Sequence, residues 1–189
     1  MITRCSLPLA LATCASSRGP ALKAAEAIDL GCFVGPWRII ACVDNAVEHE
    51  VVDAVTTYAL RDDGQMEVHS RWREKSFSAP EKTHDAVCQV TDGSAQASWS
   101  TQLFPLLKTS YTIIGVQPQY EWAAVAHPSR KLGWILARAR GMEARTYRDI
   151  LRLFEQQGYD TERFIKIPQL VMQRSYSMHS LPMPSFRCA

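Results

Sequence analysis

The feature that most constrains this chain is a rhythm. Short runs rich in β-branched and aromatic residues recur at 8 to 12 residue spacing, each bounded by turn residues. The spacing predicts strands near 36–44, 53–61, 65–73, 84–91, 96–103, 109–117, 119–127 and 132–139. "RDDGQ" (61–65) and "VTDGSA" (90–95) carry Asp-Gly hairpin signals, and "VQPQY" (116–120) and "HPSRK" (127–131) are Pro-marked turns. Parallel neighbours need long crossover connections, and there are none between these runs. The expected sheet is therefore antiparallel and closed on itself. One longer gap, "DNAVEHEV" (44–51), separates the first two strands, and a loop of that length is suited to covering one end of a barrel.

After the last strand, Tyr147, Ile150, Leu151 and Phe154 fall at i, i+3, i+4 and i+7 within "EARTYRDILRLFEQQG" (143–158). That is one apolar stripe of a helix, with Gly158 placed to end it. The stripe must be buried, and the outer wall of the barrel is the available surface. "RFIKI" (163–167) predicts a short ninth strand, and the chain from Pro168 has no period and reads as a loosely ordered tail.

With 189 residues and 47% hydrophobic side chains, the chain can build one sizeable core. A net charge of +2 gives no nucleic-acid footprint, and no apolar run reaches the roughly 18 residues needed to span a bilayer. The N-terminal "MITRCSLPLALATCASS" resembles a bacterial secretory signal ending in a lipoprotein cleavage box, with Cys14 as the acylated residue; the alternative is a leader of no consequence. Ala15 after the cysteine favours sorting to the outer membrane. On this reading 1–14 is signal and lipobox, 15–27 a tether, 28–169 the folded domain and 170–189 the tail.

Chemistry-bearing patterns are sparse. The six cysteines include no C-x-x-C pair, and the five histidines have no metal-ligand spacing. Cys88 and Cys188 are either a disulfide in an oxidising compartment or two idle thiols. No nucleophile elbow and no Gly-rich phosphate loop occurs. The expectation is a binding protein rather than an enzyme, with no metal and no cofactor.

Two stretches suggest what closes the barrel. "GPWRII" (35–40) opens the first strand, and "GWILARAR" (133–140) holds the last. Proline at a strand's start costs no ladder bond. Together with "IDLGCFVGPWRIIA" (28–41), "TTYALRDDG" (56–64), "YEWAAVAHPSRKLGWILAR" (120–138) and "GYDTERFIKIPQ" (158–169), they make the chain resemble the lipocalin family over residues 28–169. The likeness is closest to the bacterial outer-membrane lipocalins and the apolipoprotein D type. Arg38 stands where the bacterial group usually has Tyr, and the 101–110 stretch keeps Phe104 and Pro105 but departs from the group elsewhere.

The resemblance implies an all-β fold: an eight-stranded antiparallel up-and-down barrel with one C-terminal helix packed outside. It implies structural closure by Gly35, Trp37 and Arg138, the guanidinium stacking across the indole. Strand alternation, with parity taken from the family, points Ile39 and Ala41, Thr56 and Tyr58, Val68, Ser70 and Trp72, Tyr111 and Ile113, and Ala123 and Val125 inward as ligand-binding residues. Leu60, Ala86, Cys88 and Val90 share that parity; the fifth strand is left unassigned. Arg71, Arg73 and Lys75 either meet a charged head group or form a solvated outer face. The implied function is binding, storage or transport of a fatty acid or lysophospholipid in the cavity, for maintenance of envelope lipids. The implied setting is the bacterial outer membrane, on its periplasmic face, with a homodimer possible. The other readings are a lipid- or isoprenoid-modifying enzyme of lipocalin type and a tetrapyrrole-binding barrel.

Overall fold

The computed structural model describes residues 20–45, 48–90, 95–104 and 107–170. Cys5, Cys14, Cys188, Pro105 and the tail beyond residue 170 lie outside the described residues, as does the turn at 91–94.

Eight antiparallel strands form the wall: β1 (Gly35–Val43), β2 (Val51–Leu60), β3 (Met66–Glu74), β4 (Lys82–Val90), β5 (Ser98–Phe104), β6 (Leu107–Val116), β7 (Trp122–Ala126) and β8 (Gly133–Ala137). Each pairs with its sequence neighbour, and β1 pairs with both β8 and β2, which closes the sheet. A short helix, α1 (Leu30–Phe33), precedes β1, and a longer one, α2 (Ala144–Gln156), follows β8. A 3₁₀ turn (Thr161–Arg163) leads into β9 (Phe164–Lys166), which pairs with β1.

Local chemistry accounts for these elements. The β2–β3 hairpin turns at Gly64, whose φ of 78° is the left-handed conformation expected of the Asp-Gly signal. Helix α2 buries Ile150 and Phe154 against the outer wall, in a cluster with Ile40, Ile114 and Ile135. Gly158, at φ 81°, ends the helix, and the Tyr159 N–H returns to the Phe154 carbonyl at 3.1 Å.

The closure is not uniform along the barrel. The first half of β1 pairs with β2, Gly35–Arg38 facing Val55–Tyr58, but the second half pairs instead with β9. Where β1 and β2 part, the chain after β9 fills the seam. Ile167 N–H bonds Ile40 O at 2.9 Å, Asp53 N–H bonds Pro168 O at 2.8 Å, and the Gln169 amide donates to Ile39 O at 2.8 Å. Residues 168–170 are thus part of the wall rather than the start of a loose tail. A gap in a sheet leaves backbone groups unpaired, and this segment pairs them. The stretch read as a tether is likewise docked from Pro20 onward: Ala25 N–H bonds Ile113 O and Ile28 N–H bonds Ala95 O, both at 2.9 Å.

Cys42 and Cys88 are buried free thiols, while Cys32 is disulfide-bonded. Of the two alternatives for Cys88, the free thiol excludes the bridge to Cys188.

Candidate functional site

At one end the barrel is filled by side chains. Trp37 and Phe33 are fully buried, and the Trp37 indole donates to the Phe33 carbonyl at 2.8 Å. The Phe33 ring is packed by Trp37 at 4.9 Å, Tyr58 at 5.1 Å and Trp99 at 4.9 Å between centroids. Arg138 covers the indole, its Cζ 3.8 Å from the ring centroid. Its guanidinium donates to the carbonyls of Pro36, Cys32 and Val34 at 2.9 Å each. Burial pushes the Arg138 pKa down to about 10, which still leaves it protonated at neutral pH. The cation is held because carbonyl oxygens replace the water it loses. Gly35 has φ 95°, and a Cβ there would stand 3.3 Å from Arg138 Nη1, so the chain enters β1 through a residue without a side chain.

Above this floor lies a cavity of about 420 Å³, within the roughly 300–1,000 Å³ range of small-molecule sites. From β1 and β2 come Ile39, Thr56 and Tyr58; from β3, Val68, Ser70 and Trp72; from β4, Ala86 and Cys88; from β6 and β7, Tyr111, Ile113 and Val125.

Two expected lining residues stand elsewhere. A bulge shifts the register of β1 between Ile39, opposite Leu136, and Ala41, opposite Ile135. The extra residue reverses the alternation, so Ile39 faces the cavity while Ile40 and Ala41 both join the cluster beneath α2. Ala123 is fully buried in the cluster that also holds Trp37 and Phe33 and does not line the cavity. Val90 packs in that cluster too, and Leu60 is 46% exposed near the β2–β3 turn.

Several lining residues escaped the sequence reading. Trp134 and Leu136 of β8 line the wall. Their signal was present, because alternation from an inward Arg138 puts 136 and 134 on the same face. Trp99 and Thr101 of β5 also line it, but their parity rests on the pairing of Trp99 with Tyr111, a register no local pattern records. Glu48 lies in the 44–51 loop, whose length suited it to cover one end of the barrel, but no local pattern singles out its carboxylate.

The polar groups in the cavity are mostly satisfied. Thr56 Oγ1 and Ser70 Oγ lie 3.1 Å apart across β2 and β3, and the Thr101 hydroxyl donates to Val87 O at 3.1 Å. Burial raises the pKa values of the Tyr58 and Tyr111 phenols and the Cys88 thiol, which keeps all three neutral at ordinary pH. Arg71, which borders the cavity, and Arg73 share Glu81 at 3.2 and 3.4 Å, and Lys75 pairs with Glu50 at 3.5 Å, so each of these cations already has a counter-ion. Glu48 is different: it accepts from Trp134 Nε1 at 2.7 Å and Asn45 Nδ2 at 2.6 Å. Among the described residues no group of three or more His, Cys, Asp or Glu side chains could hold a metal ion.

Comparison with known proteins agrees with this architecture. The chain is similar to the outer membrane lipoprotein Blc of Escherichia coli K12, 25% identical over 137 residues that cover 72% of this chain and 77% of that one. It is also similar to temperature-induced lipocalin-1 of Arabidopsis thaliana, 24% identical over 160 residues covering 78% and 83% respectively. Among solved structures, insecticyanin of the tobacco hornworm superposes with a TM-score of 0.62 at 16% identity, covering 85% of this chain and 89% of that one. The family model described as the lipocalin-like domain matches residues 28–169, three quarters of the chain, and the protein belongs to that family.

Proposed function

We propose that the protein binds a single-chain lipid, a fatty acid or lysophospholipid, in the barrel cavity, and stores or carries it for maintenance of the cell envelope. The observation that carries this reading is the asymmetry of the barrel: an apolar chamber of about 420 Å³ above a floor sealed by Trp37 and Arg138. A chain entering from the other end buries its methylenes at about 0.8 kcal/mol each before ordering costs. The mechanism is partition, with no covalent step. Ile39, Thr56, Tyr58, Val68, Ser70, Trp72, Tyr111, Ile113 and Val125 are the wall such a chain would touch.

Acylation of Cys14 would hold the barrel at the periplasmic face of the outer membrane. This is supported by the sequence of the leader and by relatives named as outer membrane lipoproteins in Escherichia coli and Vibrio cholerae. Protein purified from its own host should carry lipid identifiable by native mass spectrometry after extraction. Absence of bound lipid together with no uptake of a fluorescent fatty acid overturns the binding reading. Turnover of a bound lipid would replace it with an enzymatic one. Labelled palmitate should be incorporated by the full chain and lost in Cys14→Ala.

A further inference from the structure

We propose that the open end of the cavity is an ammonium site: Glu48 and the aromatic side chains beside it select single-chain amphiphiles with a cationic head over those with a carboxylate. The inference rests on the lipid-binding reading and narrows it.

Glu48 is the one carboxylate on the cavity wall among the described residues. Both its oxygens are fixed, by the Trp134 indole at 2.7 Å and the Asn45 amide at 2.6 Å. Both donors are neutral, and no ion pair with Glu48 occurs among the described residues, so its negative charge is oriented but not balanced. The other charged groups of this region are committed. Arg71, which also borders the cavity, lies 3.2 Å from Glu81 and 3.8 Å from Asp53, and His49 of the same loop pairs with Asp44 at 2.8 Å. His84 also lines the cavity, with the neutral Tyr58, Tyr111 and Cys88.

The charge of Glu48 reaches the lining. The Tyr111 phenol on the cavity wall is pushed up chiefly by burial and to the smallest extent by Glu48, and the Cys42 thiol, which does not line the cavity, is pushed up to about 12 by burial, then by Glu48. A ligand carboxylate seated here would meet the same repulsion. The aromatic surroundings suit the opposite charge. Trp134 and Tyr111 pack edge to face with centroids 5.4 Å apart, and Trp72 and Trp134 both pack against the buried cluster of Cys42, Val51, Ala54 and Ile167. Electron-rich ring faces beside a fixed carboxylate are what a desolvated ammonium head requires. On this reading a zwitterionic lysophospholipid would place its ammonium at Glu48 and its chain on the wall toward Trp99, while a free fatty acid would be disfavoured.

Three ligands with one chain length test this: dodecyltrimethylammonium, dodecanol and dodecanoate, each below its micelle threshold, displacing the neutral probe N-phenyl-1-naphthylamine from the full chain. The ammonium should bind about tenfold tighter than the carboxylate, with the alcohol between them. Glu48→Gln keeps the side chain's shape and should erase that gap while leaving dodecanol unchanged; Glu48→Lys should reverse the order. Equal or tighter binding of dodecanoate by the unsubstituted protein, or a gap that survives Glu48→Gln, overturns the ammonium site and leaves lipid binding standing. Failure of all three ligands to displace the probe overturns both.

Discussion

The two ends of this barrel are built from similar residues to opposite effect. At the floor, Trp37, Phe33, Trp99 and Arg138 satisfy one another: the guanidinium covers the Trp37 ring, Trp99 meets Phe33 edge to face, and the indole and guanidinium N–H groups are spent on carbonyls. At the mouth, Trp134, Tyr111 and Glu48 include a tryptophan, a second aromatic ring and a charge, yet the charge has no counter-ion among the described residues. A cation over an aromatic ring closes one end; an anion beside aromatic rings is left waiting at the other. An aromatic and ionic cluster is structural when its charge is spent within the fold, and a binding site when it is not.

The largest way to break the comparison is at the floor. Trp37→Ala removes the side chain that fills it and should cost about 3–5 kcal/mol of stability by chemical denaturation; an unchanged melting midpoint would refute the plug. Arg138→Met keeps much of the stem over the indole but strips the carbonyls of their donor, and should cost about 2–3 kcal/mol. Gly35→Ala forces a side chain into φ 95° and toward Arg138 Nη1, for about 1–2 kcal/mol. At the cavity the sign of the comparison changes. Ala86→Phe should fill space on the wall, leave stability within about 0.5 kcal/mol, and abolish probe binding measured by fluorescence.

The smallest effect is titration near the mouth. Burial lowers the pKa of His127, whose Nε2 lies 2.9 Å from Thr109 Oγ1. The folded state therefore binds this proton less readily than the unfolded chain. The associated stability is present above the ordinary histidine range, near 6.5, and is lost as pH falls through it. His127→Gln should flatten that part of the stability profile. His49, exposed and paired with Asp44, has its pKa raised and contributes in the opposite sense, stabilising at low pH and ceasing to do so as pH rises.

The strands and α2 were legible because their signals are local. An alternation of period two, an Asp-Gly turn and an i, i+3, i+4, i+7 stripe each specify a backbone state within a dozen residues. The floor was legible through the pairing of two motifs a hundred residues apart, and β8 could have been oriented from Arg138 alone. Ala41 was misplaced because a bulge adds one residue without altering composition, and everything past it changes face. The lining from β5 was out of reach because its orientation follows from the register with β6.

By itself, then, the sequence determined how many strands form, where they turn and which helix stripe must be covered, since those follow from side-chain periodicity and turn chemistry. Only the tertiary structure decided that residues 167–170 fill the seam between β1 and β2, that Ala41 belongs under the helix, and that a loop carboxylate stands at the mouth. Each is a non-local outcome. The seam is filled because unpaired backbone at the gap must find partners, the bulge is set by pairing with β8, and Glu48 is oriented by an indole 86 positions away in the chain.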